Sequence, residues 1–329
     1  MTPMMRAVVL DAPGPAANLQ LREVPIPEPE AGQVLLRVEA FGLNRSELHT
    51  RLGLAGDAVT FPRVLGIEAT GIIEAAPGTD LPVGSKAAAM MGGMGRSFDG
   101  GYAEYTVVPA SAVVPVDTEL DWARLGALPE VLQTAWGSLT VGMGVPESGT
   151  MLVRGGTSSV GLMAAVLAKR RGITVLATTR RADRSEALRA IGVDHVVVDD
   201  GHIAPAVRAI VPGGVDGALE LVGAPTLHDT LRCTRVGGTT CFTGMLSNEW
   251  IVERFYPIDF IPTGVRLTAY GGGAADLPSE VLKEIADDWL QDRFDLPVVR
   301  YSMDRIAEAH DDMEHNRVTG KQVVLTRGG

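Results

Sequence analysis

From Thr150 onward the chain alternates between short apolar runs and helical runs, four times over. TMLVRGG is followed by SSVGLMAAVLAKRRG, TVLATTRR by DRSEALRAIG, VDHVVVDD by IAPAVRAIVP and VDGALELVG by APTLHDTLRCTRVGG; TTCFTGML closes the series. No other feature restricts the fold as much. A strand that leads through a helix to the next strand returns parallel to itself, with a right-handed crossover. Repeated strand–helix units therefore predict an α/β fold with a doubly wound parallel sheet.

The first third has a different texture. VLLRVEA (Val34–Ala40), ATGIIEA (Ala69–Ala75) and YAEYTVVP (Tyr102–Pro109) read as strands, separated by breakers such as PIPEPEAG and APGTDLPVG. Near the end, SEVLKEIADDWLQDR and MDRIAEAHDDMEHNR read as helices, and GKQVVLT as a strand. The 329 residues suffice for about two domains at roughly 150 residues each. Apolar residues make up 46% and charged residues 21%, enough for a buried core. A net charge of −11 argues against a nucleic-acid partner. The apolar stretch near Val160–Ala168 is too short to span a bilayer. MTPMMRAVVL has no long apolar core of a signal peptide, so a cytoplasmic location is expected. The two cysteines, Cys233 and Cys241, form no CxxC pair, so neither a disulfide framework nor a cysteine-rich zinc site is expected.

The turn after the first strand of the series reads LVRGGTSSVGLMAAVLAKRRG (Leu152–Gly172). Gly155 and Gly156 permit a tight turn and close approach to a ligand. Gly161 permits tight packing of the helix on the strand. The amides opening the helix at Ser158, Ser159 and Val160 favour a diphosphate. The usual fingerprint has glycine where Ser158 and Ser159 stand; their hydroxyls suit either an N-cap or a phosphate oxygen. Two readings stay open: a dinucleotide loop, or a turn that binds nothing.

The next strand ends in ATTRRADR. An NAD-preferring fold places an acid near such a tip, for the ribose 2′-hydroxyl. Here Asp183 comes later, and Thr178, Thr179, Arg180, Arg181 and Arg184 offer hydroxyls and guanidinium groups that suit a 2′-phosphate. Alone, the stretch reads rather as a solvated basic helix start; after a glycine loop it favours NADPH over NADH. Val222, Gly223, Gly244 and Met245 end the fourth and fifth strands of the series, where such sheets hold ligands. Glycine there also serves plain turns. Phe255 and Tyr256 read as an apolar lid or as core.

GLNRSELHTRLG (Gly42–Gly53), FPRVLGIEATGIIEA (Phe61–Ala75), DGGYAEYTVVPA (Asp99–Ala110), QTAWGSL (Gln133–Leu139), RGGTSSVG and GKQVVL occur in this order. Together they resemble the zinc-free quinone oxidoreductase branch of the medium-chain dehydrogenase/reductase superfamily. The resemblance implies a GroES-like, β-rich catalytic domain split between residues 1–120 and 263–329. A Rossmann-like domain over 121–262 would be inserted between them. It also implies a homodimer, with RLTAYG (Arg266–Gly271) as the edge strand of the Rossmann sheet.

Zinc members of the superfamily carry a cysteine in the first motif and a histidine just before the glutamate of the second. These positions here are Asn44 and Ile67, and the four-cysteine structural lobe is missing, so no metal site is expected. In the zinc-free branch an asparagine and a tyrosine of the first motif face the nicotinamide. Asn44 matches the asparagine; His49 stands at the tyrosine position. His49 is a candidate proton donor near neutral pH, or a loop histidine facing water. Thr134 matches a threonine near the nicotinamide, or is a helix hydroxyl bonded to its own backbone. Arg45 and Arg51 read as attractors of an anionic substrate or as exposed surface, and His310 with His315 as a solvated pair. The resemblance implies an NADPH-dependent reductase of quinones or other electron-poor double bonds. Asn44 would orient or polarise the acceptor, and His49 or water would supply the proton. The partner is a small molecule, quinone or enone-like. An enoyl or alkenal reductase and a non-catalytic NADPH-binding redox sensor are the alternatives.

Overall fold

The computed structural model describes residues 2–145 and 148–327. The first segment runs β1 (Met4–Leu10), β2 (Leu19–Pro25), β3 (Gln33–Gly42), α1 (Arg45–Arg51), β4 (Arg63–Val64), β5 (Glu68–Ala75), β6 (Lys86–Met90), β7 (Tyr105–Pro109), β8 (Val113–Pro115), α2 (Trp122–Leu125) and α3 (Pro129–Gly137). After a π-helical turn at Ser138–Gly142 come β9 (Thr150–Arg154), α4 (Ser159–Arg170), β10 (Thr174–Thr179), α5 (Ser185–Ala190), β11 (His195–Val198), α6 (Ala204–Ile210), β12 (Val215–Glu220), α7 (Ala224–Cys233), β13 (Thr234–Phe242), α8 (Pro257–Phe260) and β14 (Arg266–Ala269). The tail carries α9 (Ser279–Leu290), β15 (Val298–Ser302), α10 (Ile306–Glu314) and β16 (Lys321–Leu325).

The chain divides into two compact units, Met1–Gln133 with Gly273–Gly329, and Thr134–Gly272. In the first, β15, β16, β3, β5, β6 and β8 lie in that order in one sheet, with β7 also paired to β3; β2, β1 and β4 form a second sheet. β3 alternates buried and half-buried side chains, the pattern of a strand with one face on the core. That core joins Phe41, Leu48 and Tyr102 of the first segment to Tyr301, Met303, Ile306 and Val324 of the tail.

The second unit is a six-stranded sheet in the order β11-β10-β9-β12-β13-β14, every neighbouring pair parallel. Counted within the unit this is 3-2-1-4-5-6, the doubly wound order that reverses between β9 and β12. β9 and β10 are buried almost throughout, because helices cover both faces.

The unit boundaries differ from the expected ones. They fall after Gln133 rather than residue 120, and after Gly272 rather than 262. At the first junction, Gly126 packs against Ala40 and Val323 of the β-rich unit. At the second, β14 pairs in parallel with β13 and so belongs to the sheet it edges. YAEYTVVP is a strand only from Tyr105. No helix among the described residues is long and apolar enough to cross a membrane.

Candidate functional site

In the second unit the strand order leaves a crevice at the carboxyl ends of β9 and β12, where doubly wound sheets take ligands. The chain leaves β9 through Gly155, whose φ of +85° disfavours any side chain. A Cβ on Gly156 would come 2.8 Å from the Ala177 Cβ, and one on Gly161 would come 2.5 Å from the Gly155 carbonyl oxygen. Turn, β10 and first turn of α4 therefore approach more closely than side chains would permit. Ser158 is the N-cap of α4: its hydroxyl accepts from the Gly161 amide (3.1 Å) and donates to the Gly155 carbonyl (2.8 Å). Its own amide also donates to that carbonyl, at 3.1 Å. Ser158 is thus spent on the cap, and the amides of Ser159 and Val160 remain as first-turn donors outside the helix ladder. Such a cradle fits a diphosphate.

The tip of β10 divides its expected ligands into two groups. Thr178 and Thr179 are buried. The Thr178 hydroxyl accepts from the Gly155 amide at 3.0 Å, and the Thr179 hydroxyl is bonded to the Arg181 backbone. Both hydroxyls brace the turn. Arg181 is paired with Asp183. Arg180 is exposed and Arg184 half-buried, and both remain where a phosphate could meet them.

The neighbouring strand ends are held by a cluster that the sequence reading did not single out. Buried Arg154 donates twice to Asp199, at 2.9 Å each, and to Asp229 at 2.9 Å. Burial disfavours the Asp199 carboxylate, but Arg154 outweighs it and holds its pKa low. Glu220, pushed up by burial, accepts from the amides of Val222 (2.6 Å) and Gly223 (3.0 Å) and from the Thr230 hydroxyl (2.6 Å). The Val222 amide is therefore taken internally. A Cβ on Gly244 would strike the Leu221 backbone at 2.5 Å, so that glycine is a packing requirement. Met245 is exposed, as are Phe255 and Tyr256, which are not core; Phe255 meets Phe260 edge-on.

In the first unit the motif residues gather around buried charge. Asn44 is the N-cap of α1, and Glu47, three residues on, accepts from the Asn44 backbone amide (3.0 Å) and from the Ile67 amide (2.9 Å). Asn44 Nδ2 donates to Glu68 Oε1 at 2.9 Å and to Glu47 Oε1 at 3.3 Å; its Oδ1 accepts from Lys321 Nζ at 2.5 Å. Lys321 also pairs with Glu68 at 2.7 Å, and Glu68 Oε2 accepts from the Glu130 amide at 2.8 Å. Glu47, Glu68 and Lys321 are each less than 5% exposed. Burial, aided by the Glu68 charge, raises the Glu47 pKa to about 7. Burial works against the Lys321 ammonium, yet Glu68 and Glu130 outweigh it and raise its pKa.

In this arrangement both Asn44 amide hydrogens are engaged by Glu68 and Glu47, and its oxygen by Lys321. His49 lies in the last turn of α1 and is 7% exposed, not a loop histidine facing water. Arg51 is fully buried, donating to the Gly14 carbonyl at 2.6 Å and pairing with Glu314. Arg45 bonds Asn316. His310 is also fully buried: Tyr102 Oη lies 3.0 Å from its Nε2, and burial lowers its pKa to about 3. Only His315 is exposed, so the solvated pair does not exist. Thr134 is half-buried within α3, and its carbonyl accepts from the Ser138 hydroxyl at 2.6 Å. Sequence reading missed Glu47, Glu68 and Lys321: the Asn44–Glu47 capping-box spacing is a local signal for the first, whereas Lys321 and Glu68 sit inside quoted motifs with no local signal of their meeting.

A family profile described as "Alcohol dehydrogenase GroES-like domain" matches residues 30–118, and one described as "Zinc-binding dehydrogenase" matches residues 159–287. The second span contains neither Asn44 nor Ile67. The chain is 27% identical over 338 residues to the quinone oxidoreductase of Homo sapiens, covering 98% of both proteins. It is 29% identical over 252 residues to a 2-haloacrylate reductase of Burkholderia sp, covering 74% of both. The structure of mycobacterial Rv1454c complexed with NADPH superposes with a TM-score of 0.83 at 26% identity, covering 98% of this chain and 100% of that one.

Proposed function

The chain belongs to the quinone oxidoreductase branch of the medium-chain dehydrogenase/reductase superfamily and is an oxidoreductase, and from that premise we propose that it uses NADPH to reduce quinones or other activated, electron-poor double bonds without zinc. The observation that carries this reading is the glycine cradle at the strand-order reversal, followed at the tip of β10 by exposed Arg180 where an NAD enzyme keeps an acid. Bound NADPH supplies the hydride. The Ser159 and Val160 amides hold its diphosphate, and Arg180 and Arg184 hold the 2′-phosphate. His49 or water delivers the proton to the reduced acceptor.

A zinc ion does not suit the first unit's residues. Ile67 has no donor atom, Asn44 Oδ1 is engaged, and the Lys321 ammonium already sits among the carboxylates, where it would repel a second cation. Among the described strands β14 is the edge of the parallel sheet, and that edge supports assembly of two copies through the sheet.

The test is NADPH and NADH oxidation against quinones, enones and enoyl thioesters, with oxygen uptake followed to separate quinone cycling from alkene reduction. Arg180→Glu is expected to cut the NADPH-over-NADH preference by about tenfold or more, the worth of one charge-assisted hydrogen bond. An unchanged preference would remove Arg180 from the cofactor site. Full activity of His49→Ala on every acceptor would leave water as the proton source. Tight NADPH binding without oxidation by any acceptor would favour the redox-sensor alternative.

A further inference from the structure

α1 is a seven-residue helix clamped at both ends, with His49 in its last turn. Beyond His49, Arg51 ties the helix to the Gly14 carbonyl and to Glu314. At its start, four distant places in the chain meet: Asn44, Glu68 on β5, Glu130 in α3 and Lys321, the first residue of β16. The lysine decides which way the Asn44 carboxamide faces. Its ammonium takes the oxygen at 2.5 Å, and both amide hydrogens are left for Glu68 and Glu47. A flipped amide would set NH2 against an ammonium and oxygen against two carboxylates, in a buried place where either clash is weakly screened. Gly42 leaves room for the pair: a Cβ there would lie 2.2 Å from Glu68 Oε1 and 2.6 Å from Lys321 Cε.

We infer that Lys321 is a positioning residue, which by orienting Asn44 fixes the start of α1 and thereby the placement of His49. This rests on the reading of His49 as a reacting group. Lys321 itself transfers no proton; its ammonium is a fixed cation that holds the hydrogen-bond pattern. Misplacing a reacting group by about an ångström costs on the order of 100-fold in rate, so the effect belongs to turnover rather than to cofactor binding.

The experiment uses the full-length protein with Lys321→Met, Lys321→Arg and Gly42→Ala. Lys321→Met is expected to lower kcat by about 10- to 100-fold, with the NADPH dissociation constant held within about twofold. Lys321 opposes protonation of Glu47, which it faces together with Glu68; Tyr102 and Glu130 border the same cluster. Without the lysine the acid limb of the pH–rate profile moves to higher pH. Lys321→Arg, which keeps the charge, recovers most of kcat. The His49 ring resonance, followed by NMR, shifts in Lys321→Met. Wild-type kcat and pH profile in a folded Lys321→Met protein, or an unmoved His49 resonance, overturns the inference. If Lys321→Met does not fold, Gly42→Ala retains every charge while crowding the pair, and the same readouts apply. Should the wild type reduce no acceptor, the functional reading fails on its own, and the His49 resonance still decides the role of Lys321.

Discussion

Glu47 shows how much one buried carboxyl can carry. Its oxygens accept three N–H groups, yet burial wins and lifts its pKa from 4.5 to about 7. In the unfolded chain it releases its proton near 4.5, and in the folded protein only near 7. Between these values the native state binds more protons, so this contribution to stability is full below pH 4.5 and is lost as pH rises through 7. His310 acts in the opposite direction: with its pKa lowered from 6.5 to about 3, it destabilises the fold as pH falls below 6.5. The wild type minus Glu47→Gln difference in melting temperature isolates the first effect. It is expected to decline as pH rises through that window, and a flat difference would place the proton elsewhere. Of these two residues the sequence shows only the spacing of Glu47. That His310 is buried follows from which face of α10 meets Tyr102, a contact across 208 positions.

At the scale of elements, the β9–α4 turn was the most legible part, because its constraints are local. Gly155 is required by its own positive φ, Gly156 by β10 and Gly161 by the backbone of the turn, and Ser158 caps the helix that it begins. Ser158→Ala is expected to cost about 1 kcal/mol by denaturant unfolding. A loss below about 0.3 kcal/mol would mean that the cap is worth little here. Gly161→Ala has no room beside the Gly155 carbonyl. It should abolish NADPH binding by calorimetry while far-ultraviolet dichroism stays unchanged; retained affinity would show that the cradle tolerates a side chain. The threonines at the end of β10 were less legible: a hydroxyl beside a glycine loop serves a ligand or the loop equally well on paper, and the fold turned both inward.

At the scale of the whole molecule, the first unit is assembled from two stretches separated by the entire second unit. β16 pairs with β3 and β15, and the tail supplies Tyr301, Ile306 and Val324 to the common core. A fragment covering Met1–Gln133 alone lacks these and leaves Asn44 and Glu68 without Lys321. It is expected to unfold without a cooperative transition by circular dichroism. A sharp, reversible transition from that fragment would show the tail to be dispensable.

The sequence by itself determined the parallel sheet, its glycine turn and the β-rich flanks, because periodicity and the conformational limits of glycine act over neighbouring residues. Only the tertiary structure decided which polar atoms are already spoken for. Asn44 meets Glu68 across 24 positions and Lys321 across 277. In a buried cluster each donor must find an acceptor, so the role of every member is settled by partners that chain order does not reveal.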